Sequence, residues 1–173
     1  MIKDFNKRGF TLIEALVSIT ILIIGILSGL VLISRSLYNV TIIQDRLKAA
    51  MLAQEGIELV RKIRDSNFIA QINGEDRSWD YELTDGEYII DSSSMELKRI
   101  STEEPLTREY LKFDAATRLY NYTTGQNSPF FRKITIKKVN DNELKILSTV
   151  EWRSKNVKFQ ITAEDHLYRW MQI

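Results

Sequence analysis

The chain has 173 residues, 44% hydrophobic and 27% charged, enough for one ordinary domain and too few for a large multidomain enzyme. Twenty-four Lys and Arg against 23 Asp and Glu leave a formal net charge of +1, so no bulk electrostatic pull toward nucleic acid is encoded. With no cysteine, disulfides, thiolate metal sites and cysteine nucleophiles are excluded, and a single histidine, His166, excludes a histidine-rich metal site or relay.

The hydrophobicity is concentrated at the front. From Ala15 to Ser34, twenty residues run without a charge, closed by Glu14 on one side and Arg35 on the other. As a helix they span roughly 30 Å, the thickness of a bilayer's hydrocarbon core and more than soluble core helices usually present. The preceding segment carries Lys3, Lys7 and Arg8 against Asp4, which predicts a cytoplasmic N-terminus and an exported remainder. A cleaved secretory signal fits less well. The apolar stretch is too long for its core, and Leu32-Ile33-Ser34-Arg35 offers no small-x-small cleavage site.

Glu14 is the informative residue. An acid is favoured in a first helical turn, where it acts as a cap. Yet an unpaired carboxylate at the bilayer centre costs on the order of 3 kcal/mol. In a packed assembly of such helices it needs a cationic partner.

The stretch KRGFTLIEALVSITILIIG resembles the class III signal of type IV prepilins and type II secretion pseudopilins: a basic pair, Gly, Phe, then an apolar helix with Glu as its fifth residue. The resemblance implies that a prepilin peptidase cuts between Gly9 and Phe10, after the leader bases Lys7 and Arg8, and methylates the new amine of Phe10. A glycine there lets the peptidase backbone approach closely. It also implies that Glu14 pairs with the Phe10 amine of a neighbouring subunit. The catalytic groups belong to the peptidase, so this chain is expected to be a substrate and not an enzyme, without cofactor or metal. Removing residues 1–9 takes three bases and one acid, leaving 21 against 22 and a formal −1.

Past Ser34 the apolar residues become periodic. Val40, Ile43, Leu47, Ala50, Ile57 and Val60, completed by Gln54, fall at helical spacing and predict an amphipathic stripe against a head. No proline lies between Thr11 and Asp65, so one helix of about 54 residues is the simplest reading. Gly25 and Gly29 form a Gly-xxx-Gly pair, a close-packing motif that is also ordinary in membrane helices. Glu55, Glu58, Arg61 and Lys62 read as a solvated face. LAQEGIELVRKIRDSNF resembles the helix end of some pilin-like subunits. Many major pilins carry a proline further along the span. Val31 and its neighbours stand there instead, which favours a minor pilin or pseudopilin.

Residues 66–173 alternate as strands do. WDYEL (79–83) and EYIID (87–91) flank Thr84-Asp85-Gly86 and predict a hairpin. MELKRI, YLKF and RLYNY predict further short strands, with loops at 91–94, Pro105 and 125–129. FFRKITIKKV, ELKILSTVEWR and VKFQITAED predict a three-stranded meander. Leu144, Ile146, Ser148, Val150 and Trp152 share a face with Val157, Phe159, Ile161 and Ala163 of the next strand, and that face should cover the helix.

Asn140-Asp141-Asn142-Glu143 has calcium-like oxygens but not the spacing of an EF-hand, and reads as a turn. Lys133 and Lys137 beside Tyr120, Tyr122 and Phe131 suggest a single-strand grip, but Glu143, Glu151 and Glu164 are placed to neutralise them. Asn39-Val40-Thr41 and Asn121-Tyr122-Thr123 match the N-glycosylation tripeptide, and His166 reads as ordinary packing or exposure.

The expected architecture is α+β, a pilin lollipop: leader 1–9, membrane and filament-core helix 10–34, amphipathic helix 35–65 and a β-rich head 66–173. The expected function is a structural subunit, a minor pilin or pseudopilin of a type IV pilus-like or type II secretion filament. It sits in the bacterial inner membrane with its head outside before assembly. Its expected partners are the prepilin peptidase, other pilin subunits, an inner-membrane assembly platform and the lipid bilayer, with nucleic acid not among them. The alternatives are a filament-tip subunit for adhesion or DNA capture, and a plain single-pass membrane anchor.

Overall fold

The computed structural model of the chain describes residues 9, 11–100 and 109–171. It is α+β: one long helix, α1 (Leu12–Ile72), precedes eight strands, β1 (Gly86–Ile89), β2 (Lys98–Arg99), β3 (Lys112–Asp114), β4 (Leu119–Asn121), β5 (Gln126–Asn127), β6 (Phe131–Asn140), β7 (Glu143–Ser154) and β8 (Val157–Tyr168). The chain divides into two compact units, the first ending at Gln44 and the second beginning at Asp45.

In the first unit α1 buries none of its large apolar side chains; Leu12, Leu22 and Leu32 are all more than 60% exposed. By length and composition this stretch can cross a membrane.

In the second unit the sheet order is β2-β1-β6-β7-β8, antiparallel throughout, with a separate small sheet β4-β3-β5. The meander forms as its alternation predicts, and Leu144, Ile146, Ser148, Val150 and Trp152 are all buried. Lys155 and Asn156 both take positive φ between β7 and β8, as a two-residue hairpin turn requires. The partner face on β8 is less covered, because β8 is an edge strand: Val157 is exposed and Phe159, Ile161 and Ala163 are half-buried.

Several expectations are corrected. The helix runs to Ile72, beyond Asp65. It ends in a Schellman motif, with Glu75 N–H donating to Ala70 O, Gly74 N–H donating to Gln71 O, and Gly74 at φ 84°. Asp65-Ser66-Asn67 does not stop it, since the Asn67 amide is buried and donates to the carbonyls of Trp79 and Tyr81. The buried stripe is also displaced. Ile57 and Val60 are buried as expected, but Val40, Ile43, Leu47 and Gln54 are exposed, and the helix also buries Ala49, Leu52, Ala53, Gly56 and Ile63. Small residues let the helix approach the sheet: a Cβ placed on Gly56 would meet Ile134 Cδ1 at 2.7 Å and Ser148 Oγ closer still.

Residues 79–83 are a turn and not a strand. Trp79 and Leu83, four apart, are buried, while Tyr81 is exposed and Glu82 takes φ 66°. β1 therefore pairs with β2 and β6 rather than forming the expected hairpin. The 125–129 loop contributes the two-residue β5. Pro105 lies outside the described residues.

The least expected core residue is Arg132, which is fully buried. Its guanidinium donates to Leu52 O of α1 at 3.0 Å, to Glu55 Oε2 at 3.1 Å, and to Ile90 O just past β1. One side chain thereby ties helix and sheet through charge-assisted bonds.

Candidate functional site at the start of the helix

Thr11 caps α1. Its carbonyl accepts the first intrahelical bond from Ala15 N–H, and its Oγ1 accepts from Glu14 N–H at 3.3 Å. Thr-x-x-Glu is the sequence form of a capping box, which places Glu14 at the third helical position, where the macrodipole favours an acid. Among the described residues the Glu14 carboxylate has no hydrogen-bond or ion-pair partner, and Glu14 is exposed.

The remaining polar groups of this stretch behave differently. Ser18, Thr20 and Ser28 donate their hydroxyls to the carbonyls four residues back, at 2.8, 2.8 and 2.7 Å. Such back-bonding satisfies a hydroxyl within its own helix, as a hydrocarbon surrounding demands. Glu14 is thus the one ionised group of residues 12–34, presented on an apolar surface. Gly25 and Gly29 have nothing within 4 Å of a Cβ added to either.

Of the other expected site residues, Gly9 is exposed immediately before the helix, whereas Lys7, Arg8 and Phe10 lie outside the described residues. A family model, the prokaryotic N-terminal methylation motif, matches residues 4–32. The chain carries a class III signal of the type IV pilin-like kind. Nothing among curated proteins or solved structures matches it. The match covers the N-terminal segment alone.

In the head, the calcium-like tetrad is a turn: Asn142 N–H donates to Asn140 Oδ1 and Asn140 Nδ2 donates to Glu143 Oε2. Among the described residues no group of three His, Asp or Glu is placed to hold a metal. Of the two outer lysines Lys133 is neutralised, by a partner other than those expected, and Lys137 has no ion-pair partner among the described residues. Lys133 pairs with Glu87 at 2.6 Å, while Glu164 pairs with Lys145 and Glu151 with Lys158. The register explains this, since it sets Lys133 opposite Thr149 and Lys137 opposite Lys145.

His166 is not idle packing. Its Nδ1 lies 2.7 Å from Glu143 Oε1 and its Nε2 3.4 Å from Glu164 Oε1. The bond to Glu143 holds the imidazole pKa above its ordinary value, and the same pairing holds Glu143 below its own. Asn121 is buried, with its Oδ1 accepting from Thr123 and Thr124 N–H, so it is no exposed glycosylation acceptor.

Proposed function

We propose that this protein is a structural subunit, a minor pilin or pseudopilin, of a type IV pilus-like or type II secretion filament. Leader residues 1–9, with Lys7 and Arg8, hold the N-terminus in the cytoplasm until prepilin peptidase cuts between Gly9 and Phe10 and methylates Phe10. Residues 10–34 anchor the head outside the inner membrane and become the filament core. Glu14 then pairs with the Phe10 amine of a neighbouring subunit.

The observation that carries this reading is the Glu14 carboxylate. It is exposed and unpartnered among the described residues, in a stretch, 12–34, with no other charged residue, where the Ser18, Thr20 and Ser28 hydroxyls satisfy themselves. A carboxylate left unpaired at membrane depth costs on the order of 3 kcal/mol, which a neighbour's ammonium would offset. A plain anchor gains from it only the favourable placement of an acid at a helix start. The pairing of Lys133, Lys145 and Lys158 with carboxylates argues against DNA capture by that face.

The test is Glu14→Gln in cells with a working assembly machine. The account expects normal cleavage and membrane insertion, with the subunit missing from sheared filaments. Incorporation at the level of the unaltered chain would overturn the role of Glu14, and absence of the unaltered chain itself from sheared filaments would overturn the filament reading.

A further inference from the structure

The second unit holds a cavity of about 790 Å³ where the C-terminal end of β1 meets the small sheet. A second, of about 500 Å³, lies beside it, and Tyr110 is a wall of both. Both fall within the roughly 300–1,000 Å³ usual for small-molecule sites.

The first cavity is built and braced. Asp91, itself buried, accepts at Oδ1 from Ser93 and Ser94 N–H and at Oδ2 from Tyr122 N–H, the last at 3.0 Å. Burial pushes its carboxyl up, yet the donors from Ser94, Ser93 and Tyr122 outweigh that and hold it below its ordinary value. The Tyr122 hydroxyl donates to Arg132 O, and burial pushes its pKa up to about 12, so it stays a neutral phenol. Ser128 Oγ donates to Leu111 O at 2.6 Å. These bonds fix the walls before any ligand arrives.

Most of the charges that line it are engaged. Lys98 pairs with Glu109 at 2.6 Å, Lys112 donates to Thr123 O at 3.2 Å, and Asp91 is saturated. The exposed Glu96 carboxylate has no partner among the described residues, which disfavours an anionic ligand and leaves an acceptor for a ligand hydroxyl. The Tyr110 hydroxyl and the Asn127 amide have no hydrogen bond among the described residues, and both residues line the cavity together with Tyr122.

Aromatic faces beside neutral amide and hydroxyl groups suit a ligand with an apolar ring face and a rim of hydroxyls. We propose that this cavity binds a neutral saccharide, stacked on Tyr110 and hydrogen-bonded by Asn127. A second ring of an oligosaccharide crosses Tyr110 into the adjoining cavity, where Phe131 lies edge-on to Tyr110 with ring centres 6.3 Å apart. The site stands on the head alone and is indifferent to whether the chain enters a filament.

The test uses the full chain in lipid nanodiscs, free of sugar detergents, with cellotriose and chitotriose as probes and saturation-transfer NMR as readout. Transfer to the ring protons is expected at about 10 mM saccharide. Tyr110→Ala should abolish it, and Asn127→Ala should weaken binding several-fold while the tryptophan emission of the folded head is retained. Tyr110→Phe, which keeps the ring, should retain most of the transfer. No transfer from either saccharide, or transfer unchanged in Tyr110→Ala, overturns the proposal. So does preference for a heparin-derived trisaccharide, which would mean an anion site.

Discussion

Replacing Gly56 with alanine sets two known effects against each other. In an exposed helix interior, Gly→Ala stabilises by roughly 1 kcal/mol through backbone entropy. Gly56 is buried against the sheet, and the added methyl would press on Ile134 Cδ1 at 2.7 Å, on Arg132 Cδ at 3.2 Å, and most closely on Ser148 Oγ. Overpacking of this kind costs roughly 1–3 kcal/mol. With the propensity gain subtracted, Gly56→Ala should destabilise the head by about 1 kcal/mol, or about 2–4 °C in Tm. Thermal unfolding of the full chain in detergent, followed by tryptophan emission, reads the head selectively, because Trp79, Trp152 and Trp170 all lie there. A built-in control exists: the Ser148 hydroxyl is buried without a partner, so Ser148→Ala should be neutral or mildly stabilising. It should also relieve part of the Gly56→Ala penalty in a double-mutant cycle. A higher Tm for Gly56→Ala, or a penalty that Ser148→Ala leaves intact, would refute the close helix–sheet contact.

Arg132→Met keeps most of the side-chain volume but deletes the donors to Leu52 O, Glu55 and Ile90 O, and should cost about 2 kcal/mol by the same tryptophan-monitored unfolding. For His166→Gln the sign follows from two opposed shifts. The raised His166 pKa adds stability that is full below the unfolded value and is lost as pH rises through the folded one. The lowered Glu143 pKa adds stability that is lost as pH falls through its folded value. Glu164, Tyr168 and Lys145 share this surface, and Glu164 is likewise shifted down. The Tm advantage of the unaltered chain over His166→Gln should therefore be largest between the ordinary carboxylate and imidazole ranges, about pH 5–6, and fade as pH rises through the raised His166 value, as a pH series of melts would show.

The α+β class and the meander were legible because their signals are long: an uninterrupted apolar helix, then three runs of strict alternation that the register preserves. The helix stripe was legible at Ile57 and Val60 but misread before them, because hydropathy favours Val40, Ile43 and Leu47, whereas packing against a sheet selects Ala49, Ala53 and Gly56 for their small size. Residues 79–83 alternate like a strand, but burial of Trp79 and Leu83 at a four-residue interval and the Asn67 bonds make a turn. Arg132 looked like an ordinary strand base, since nothing local shows that its acceptors come from α1 and the segment after β1. Its place between Phe131 and Ile134 within an apolar alternation was the only hint. At the N-terminal site the motif itself was readable, and the structure adds the Thr11 cap and a Glu14 carboxylate without a partner among the described residues.

The most direct test of the central claim is the intact mass and N-terminal peptide mass of the membrane-extracted protein, with and without an active prepilin peptidase. The account predicts a peptidase-dependent N-terminus at Phe10, heavier by one methyl group. Retention of Met1 beside a peptidase that processes its own pilins, or a new N-terminus near Ser34, would contradict it.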